Sequence, residues 1–183
     1  DYSGRAVPEI AQALPVTKNL PICPVACVDA WGDVSMIRRT RNYDMAEGLG
    51  KMLSIPAFEP IGLACFAVKA SEMKKAVVPG TMTKCLEAGR EVRLAVEKGE
   101  DPAAAFAKKT NGYLLFKGEV AKKEWWDKGG YMYGEVTLSG AGEYKGKGMR
   151  VWFKNENHMT WLDEKPFVMS PDLIQLMDSK TGD

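Results

Sequence analysis

The sequence predicts an α+β fold. An α/β layer portion spans residues 1–110, incomplete at its N-terminus, and a small all-β barrel or sandwich domain spans residues 111–183, incomplete at its C-terminus. Three observations carry this expectation. Up to Asn111-Gly112, short apolar runs alternate with segments whose apolar residues recur at helical spacing. Beyond Gly112 the runs become short, aromatic or β-branched, with turn residues between them at close intervals. A composition of 45% hydrophobic and 27% charged residues is that of an ordinary globular protein, so both portions can bury a core.

The elements follow in order. Ile22 to Val28 is an apolar run, Trp31-Gly32-Asp33 a turn and Val34 to Ile37 a second run, which together predict a hairpin. Asn42 reads as the N-cap of a helix carrying Met45, Leu49, Met52 and Leu53 along one side and stopping before Pro56. Gly48 and Gly50 weaken that helix by about 1 kcal/mol each relative to alanine, and permit close packing or the approach of a ligand. Ile61 to Val68 reads as a strand, Ser71 as the cap of a short helix ending before Pro79-Gly80, and Thr81 as the cap of a longer helix ending at Gly99. Asp101-Pro102 sets a cap and a first helical proline for a helix that stops at Asn111-Gly112. Strands are then expected over 113–120, 131–138, 149–153, 158–162, 167–169 and 173–177. Gly129-Gly130, Asp163-Glu164-Lys165 and Ser170-Pro171-Asp172 serve as turns.

Charge and cysteine usage narrow the function. A net charge of +1, with lysines scattered among glutamates, gives no field to gather nucleic acid. No apolar run approaches the roughly 20 residues that cross a bilayer, and the first residues lack a basic start with an apolar core, so neither membrane association nor a leader is expected. Cys23, Cys27, Cys65 and Cys85 form no CxxC pair, and with one histidine a structural zinc site has little support. Buried reduced thiols are expected, which suits the cytoplasm. The start at Asp1-Tyr2-Ser3-Gly4 and the turn-like end at Thr181-Gly182-Asp183 predict a piece of a longer polypeptide.

The most unusual stretch is Val151-Trp152-Phe153-Lys154-Asn155-Glu156-Asn157-His158, a polar run between apolar and aromatic flanks. A half-buried strand seldom holds such a run, because each buried polar group without a partner costs about 1–3 kcal/mol. It is either a solvated turn or a preorganised polar site. The glycines at 140, 142, 146 and 148 lack a Walker lysine and a following helix. Lys122-Lys123 with Trp125-Trp126 reads better as a hairpin with aromatic cross-strand pairs than as a base- or sugar-stacking platform. A cysteine or serine nucleophile would need His158 as its base, and the apolar settings of Cys23, Cys27 and Cys65 should raise rather than lower a thiol pKa. Carboxylates in turn-like settings suit acid–base work better: Asp1, Glu9, Glu156 and Asp172 are the candidates.

Several stretches in order resemble the S-methyl-thiohydantoin desulfurase-like family: Gly4-Arg5-Ala6-Val7-Pro8-Glu9, Val78-Pro79-Gly80-Thr81, Gly99-Glu100-Asp101-Pro102, Gly112-Tyr113-Leu114-Leu115-Phe116-Lys117-Gly118, Phe153-Lys154-Asn155-Glu156-Asn157 and Pro171-Asp172-Leu173-Ile174, closed by Asp178 and Thr181-Gly182. The resemblance implies an α/β domain followed by a β domain, this chain being the central piece of a protein about twice its size. It implies hydrolytic removal of sulfur from a five-membered cyclic thioureide: water adds to the carbon bearing sulfur, and a thiol or sulfide leaves. Chemistry joined to the resemblance makes Glu9 or Glu156 the base, with Asp172 a weaker candidate. Asn155 and Asn157 become amide donors, Arg5 the group that steadies an anionic substrate, and His158 a further substrate contact. No cofactor and no metal is expected. A magnesium- or calcium-assisted hydrolase and a non-catalytic ligand-binding or assembly subunit are the alternatives. Expected partners are a small-molecule substrate, further copies in a homo-oligomer and, by the resemblance, a hydantoinase or oxoprolinase.

Overall fold

A computed structural model describes residues 3–58 and 60–183; the candidate carboxylate of Asp1 lies outside them. The expected hairpin forms as strands β1 (Val25–Val28) and β2 (Val34–Ile37), paired antiparallel with Val25 opposite Ile37. Asp29 closes the connection by accepting from the amides of Trp31 (3.0 Å) and Asp33 (2.9 Å). Strand β3 (Gly62–Ala64) adds antiparallel on the other side of β1, so the sheet order is β2-β1-β3 and β2 is an edge. Before this sheet, the unforeseen helix α1 (Leu14–Thr17) starts with Pro15 in its first turn.

Helix α2 (Tyr43–Ala57) is capped as expected, with Asn42 Oδ1 accepting from Met45 N at 2.9 Å. It does not stop before Pro56. The missing proline N–H falls in the last turn, and Phe58 then turns left-handed (φ 54°), its N–H reaching Ile55 O. The buried face also differs from the expected one. Ala46, Glu47, Gly50 and Ala57 are inside, whereas Leu49 and Met52 are exposed. Small residues let the helix approach closely: a Cβ on Gly50 would lie 3.7 Å from the Leu63 side chain. The core here is Ile22, Val25, Cys27, Ile37, Ala46 and Phe66.

Short helix α3 (Ala70–Met73) follows, with Glu72 reaching back to the Lys69 amide. Helix α4 (Thr81–Lys98) begins after Gly80, which takes the N-cap position expected of Thr81, and ends at a left-handed Gly99. Helix α5 (Pro102–Thr110) matches expectation, with Asp101 Oδ1 accepting from Ala103 N and Ala104 N.

The β-rich part is one antiparallel meander: β4 (Gly118–Lys128), β5 (Tyr131–Gly140), β6 (Gly148–Lys154), β7 (Glu156–Leu162) and β8 (Lys165–Ile174), in that spatial order. The fold is α+β. The five strands form an open sheet and do not close into a barrel, since β4 and β8 remain its edges. Residues 113–117, expected to be strand, are irregular, and β4 starts at Gly118. The expected turn at Ser170-Pro171-Asp172 is instead inside β8, where an edge strand tolerates a proline because its missing N–H can face away from the ladder. Register shifts between β7 and β8 are bridged by Thr160, whose hydroxyl donates to Val168 O and accepts from Val168 N, both at 2.9 Å.

Contacts group the described chain into two compact units. The first holds residues 1–79, 125–133 and 154–156; the second holds residues 80–124, 134–153 and 157–183. No helix among the described residues is long and apolar enough to cross a membrane.

Candidate functional site

Within the first unit, a set of charged and phenolic side chains gathers around Glu9. Lys154, the last residue of β6, donates from Nζ to Glu9 Oε1 at 2.5 Å across 145 positions of sequence. Gln12 Nε2 donates to Glu9 Oε2 at 3.3 Å. Two ammonium groups approach the Tyr131 ring, with Lys154 Nζ 4.1 Å and Lys51 Nζ 4.6 Å from its centroid. The hairpin tip reaches this position because Gly130 has no side chain. A Cβ there would sit 2.9 Å from Lys51 Cβ, and the Gly129-Gly130 pair (φ 62° and 77°) supplies the turn that pairs β4 with β5. Trp126 stacks on Tyr133 with ring centroids 6.3 Å apart, as the aromatic hairpin reading expected.

Glu47 is the member that sequence reasoning missed. Its side chain is only 6% exposed; Oε2 accepts from Ile10 N at 2.6 Å, and Lys51 Nζ is 3.8 Å away. Burial pushes its pKa up, against the lowering effect of the Ile10 amide and Lys51. Burial and the neighbouring Glu47 and Glu9 carboxylates likewise push Tyr131 up. The bond to Glu9 outweighs desolvation at Lys154 and raises it, so the ammonium holds its charge. The unit therefore collects two carboxyls, one of them biased toward its protonated form, two cations and a phenol donor. Such a set can pass a proton, hold a developing negative charge and orient a polar ring.

The β6–β7 bend has a structural role as well. Asn155 is left-handed (φ 57°); its N–H donates to Met132 O at 2.7 Å and its Oδ1 accepts from Met132 N at 2.9 Å. That pair of bonds fixes the bend onto β5 and occupies the amide oxygen. Glu156 Oε2 is buried and has no hydrogen-bond partner among the described residues. A buried acceptor without a donor is costly to keep and needs an explanation. Arg5 is half-buried, with Nε donating to Ala6 O at 3.1 Å.

The family model described as S-Me-THD-like, C-terminal domain, matches residues 41–183. The chain belongs to that family. Gly4–Glu9 precedes the matched stretch, so Glu9 and Arg5 rest on the geometry above. A protein from Chromobacterium violaceum, solved by X-ray crystallography, has a similar fold (TM-score 0.64, 22% identity); the match covers 94% of this chain and 46% of that one. The S-Me-THD-like chain thus spans less than half of that protein's length. No curated protein matches the sequence.

The remaining candidates of this S-Me-THD-like chain belong to its second unit. Asn157 Nδ2 donates to Ile174 O at 3.0 Å, bridging the irregular start of the β7–β8 pairing. His158 Nδ1 lies 2.8 Å from Ser170 Oγ and its ring is 5.7 Å from Trp152, while Nε2 is buried with no partner among the described residues. Asp172 is exposed on β8. All four thiols are free. Burial raises Cys27 and pushes Cys65 to about 11, the direction expected of thiols in apolar runs, but Cys85 is exposed rather than buried. Among the described residues no three His, Cys, Asp or Glu side chains converge into a metal-holding group.

Proposed function

We propose that the chain contributes the reacting centre of a hydrolase acting on a hydantoin- or thiohydantoin-like ring, with Glu9, Glu47, Lys51, Lys154 and Tyr131 at that centre. The observation that carries this reading is the buried Glu47 carboxyl in the same unit as the Glu9–Lys154 pair. A hydrolysis that expels a thiol needs one group to take a proton from water and another to give one to the leaving sulfur. In this reading Glu9 takes the proton from water, and water then adds to the carbon bearing sulfur. The Lys51 and Lys154 ammonium groups and the Tyr131 hydroxyl stabilise the negative charge of the tetrahedral species. Glu47 returns a proton as the C–S bond breaks. Family membership supports the sulfur-bearing substrate class. The supporting experiment incubates the protein with hydantoins and thiohydantoins, with and without chelator, and follows released thiol. Chelator-insensitive release from the thiohydantoins supports the reading, and absence of release refutes it.

A second reading, a non-catalytic ligand-binding or assembly subunit working with a hydantoinase or oxoprolinase, is favoured by one observation. Two cavities of the first unit, about 640 and 260 Å³, are lined by β1, β2 and α2 rather than by the Glu9 cluster. Ligand binding without turnover decides for it.

A further inference from the structure

We propose that Ser170 and His158 form a nucleophile–base pair that takes up the acyl group of an ester or thioester. The chain has one histidine, so an imidazole-activated nucleophile can form in it at one place only. The second unit supplies a serine there. His158 Nδ1 lies 2.8 Å from Ser170 Oγ, the distance at which a base takes a hydroxyl proton, and Ser170 is half-buried. The β7–β8 register makes the pair. Asn157 stands opposite Ile174 and Met159 opposite Met169, so two positions along β7 (157 to 159) meet five along β8 (169 to 174). The surplus is a bulge over residues 170–173 that starts at Ser170, across from His158. A bulge of this kind interrupts the ladder and re-aims a side chain.

The surroundings hold both groups in place. Thr160, two residues beyond His158 on β7, is 1% exposed, and its hydroxyl bonds to N and O of Val168, two residues before Ser170. Trp152 of β6 packs against the imidazole with ring centroids 5.7 Å apart, and Nε2 is enclosed by the chain itself. The ring therefore has little room to turn away from the hydroxyl, and packing of this kind preorganises a reacting pair. In the reaction Ser170 Oγ attacks the acyl carbon and its proton passes to His158 Nδ1, while Nε2 keeps its own. The C–O or C–S bond to the leaving group then breaks, and the departing alcohol or thiol takes the proton from Nδ1. Water, deprotonated by the same nitrogen, adds to the acyl carbon, releases the acid and restores the serine hydroxyl.

The test treats the full chain with a fluorophosphonate, which forms a P–O bond to an activated serine with loss of fluoride, and maps the adduct by peptide mass spectrometry. The expected result is an adduct at Ser170 that forms about a hundredfold more slowly in His158→Gln and is absent from Ser170→Ala. In the unaltered protein the adduct should also shift the ring signals of the one histidine in nuclear magnetic resonance, because Nδ1 loses its hydroxyl donor. That measurement depends on no variant folding. Absence of an adduct, an adduct confined to other residues, a rate unmoved in a folded His158→Gln protein, or histidine signals indifferent to the adduct overturns the proposal.

Discussion

Removing the Glu47 carboxyl tests whether α2 is held by a buried acid. Glu47→Ala takes away the acceptor of the Ile10 amide (2.6 Å) and the carboxylate 3.8 Å from Lys51 Nζ. An N–H left without a partner in a half-buried place costs about 1–1.5 kcal/mol, which is the loss expected of the variant. For a chain of this length that is a fall of roughly 2–6 °C in thermal midpoint. Glu47→Gln keeps an acceptor oxygen and should lose less. The pH dependence separates the two roles. A carboxyl whose pKa is raised by folding binds its proton more tightly in the folded state than in the unfolded chain. Its contribution to stability is therefore fully present below the ordinary carboxyl range, and it fades as pH rises from that range through the raised value. Thermal unfolding followed by circular dichroism should show this decline in the unaltered protein and lose it in Glu47→Gln. A Glu47→Ala midpoint within about 1 °C of the parent at every pH, against the per-kcal shift used above, would refute the reasoning.

Other outcomes follow from the same geometry. Lys154→Met and Glu9→Gln should show a coupling of about 1 kcal/mol in a double-mutant cycle of unfolding free energies, since the pair is only about a quarter exposed; strict additivity contradicts the pairing. Asn155→Ala should cost about 1–2 kcal/mol in denaturant unfolding, losing the Met132 bond and straining a left-handed backbone, while Asn155→Gly should cost less because glycine accepts φ 57°. Asp101→Ala should cost about 1 kcal/mol by removing the α5 cap. Bonding to Lys117 and to the Ala104 and Ala103 amides lowers the Asp101 carboxyl, so its contribution is present above the ordinary carboxyl range and lost as the pH falls through the lowered value, a trend absent from the alanine variant.

Local chemistry made much of the fold legible. Asn42 and Asp101 announce their helices because an N-cap needs only a side-chain oxygen two or three residues before its amide, and Gly129-Gly130 announces its hairpin because few residues take positive φ twice in succession. What lies outside that reach depends on contacts distant in sequence. The periodicity of α2 sets Met45, Leu49, Met52 and Leu53 along one side; Leu53 packs against the core, but Leu49 and Met52 are exposed, and close approach favours the small residues Ala46, Gly50 and Ala57 and carries Glu47 inside with them. The small-residue stripe was the signal that could have found Glu47. Pro171 looked like a turn because its strand is an edge, a property of the sheet and not of the tripeptide. Glu9 is a candidate base by its turn-like setting and the family resemblance, but nothing local could pair it with Lys154. Asn155 and Asn157, candidate amide donors by sequence, also shape the strand ends: Asn155 Oδ1 accepts from Met132 N and Asn157 Nδ2 donates to Ile174 O.

The reaction-centre claim is tested most directly by the rate of thiol release from a thiohydantoin by Glu9→Gln, compared with the unaltered protein at matched thermal midpoint. Loss of a positioned proton acceptor predicts a fall of about a hundredfold or more in kcat. A folded Glu9→Gln protein that releases thiol at close to the parent rate would contradict the account.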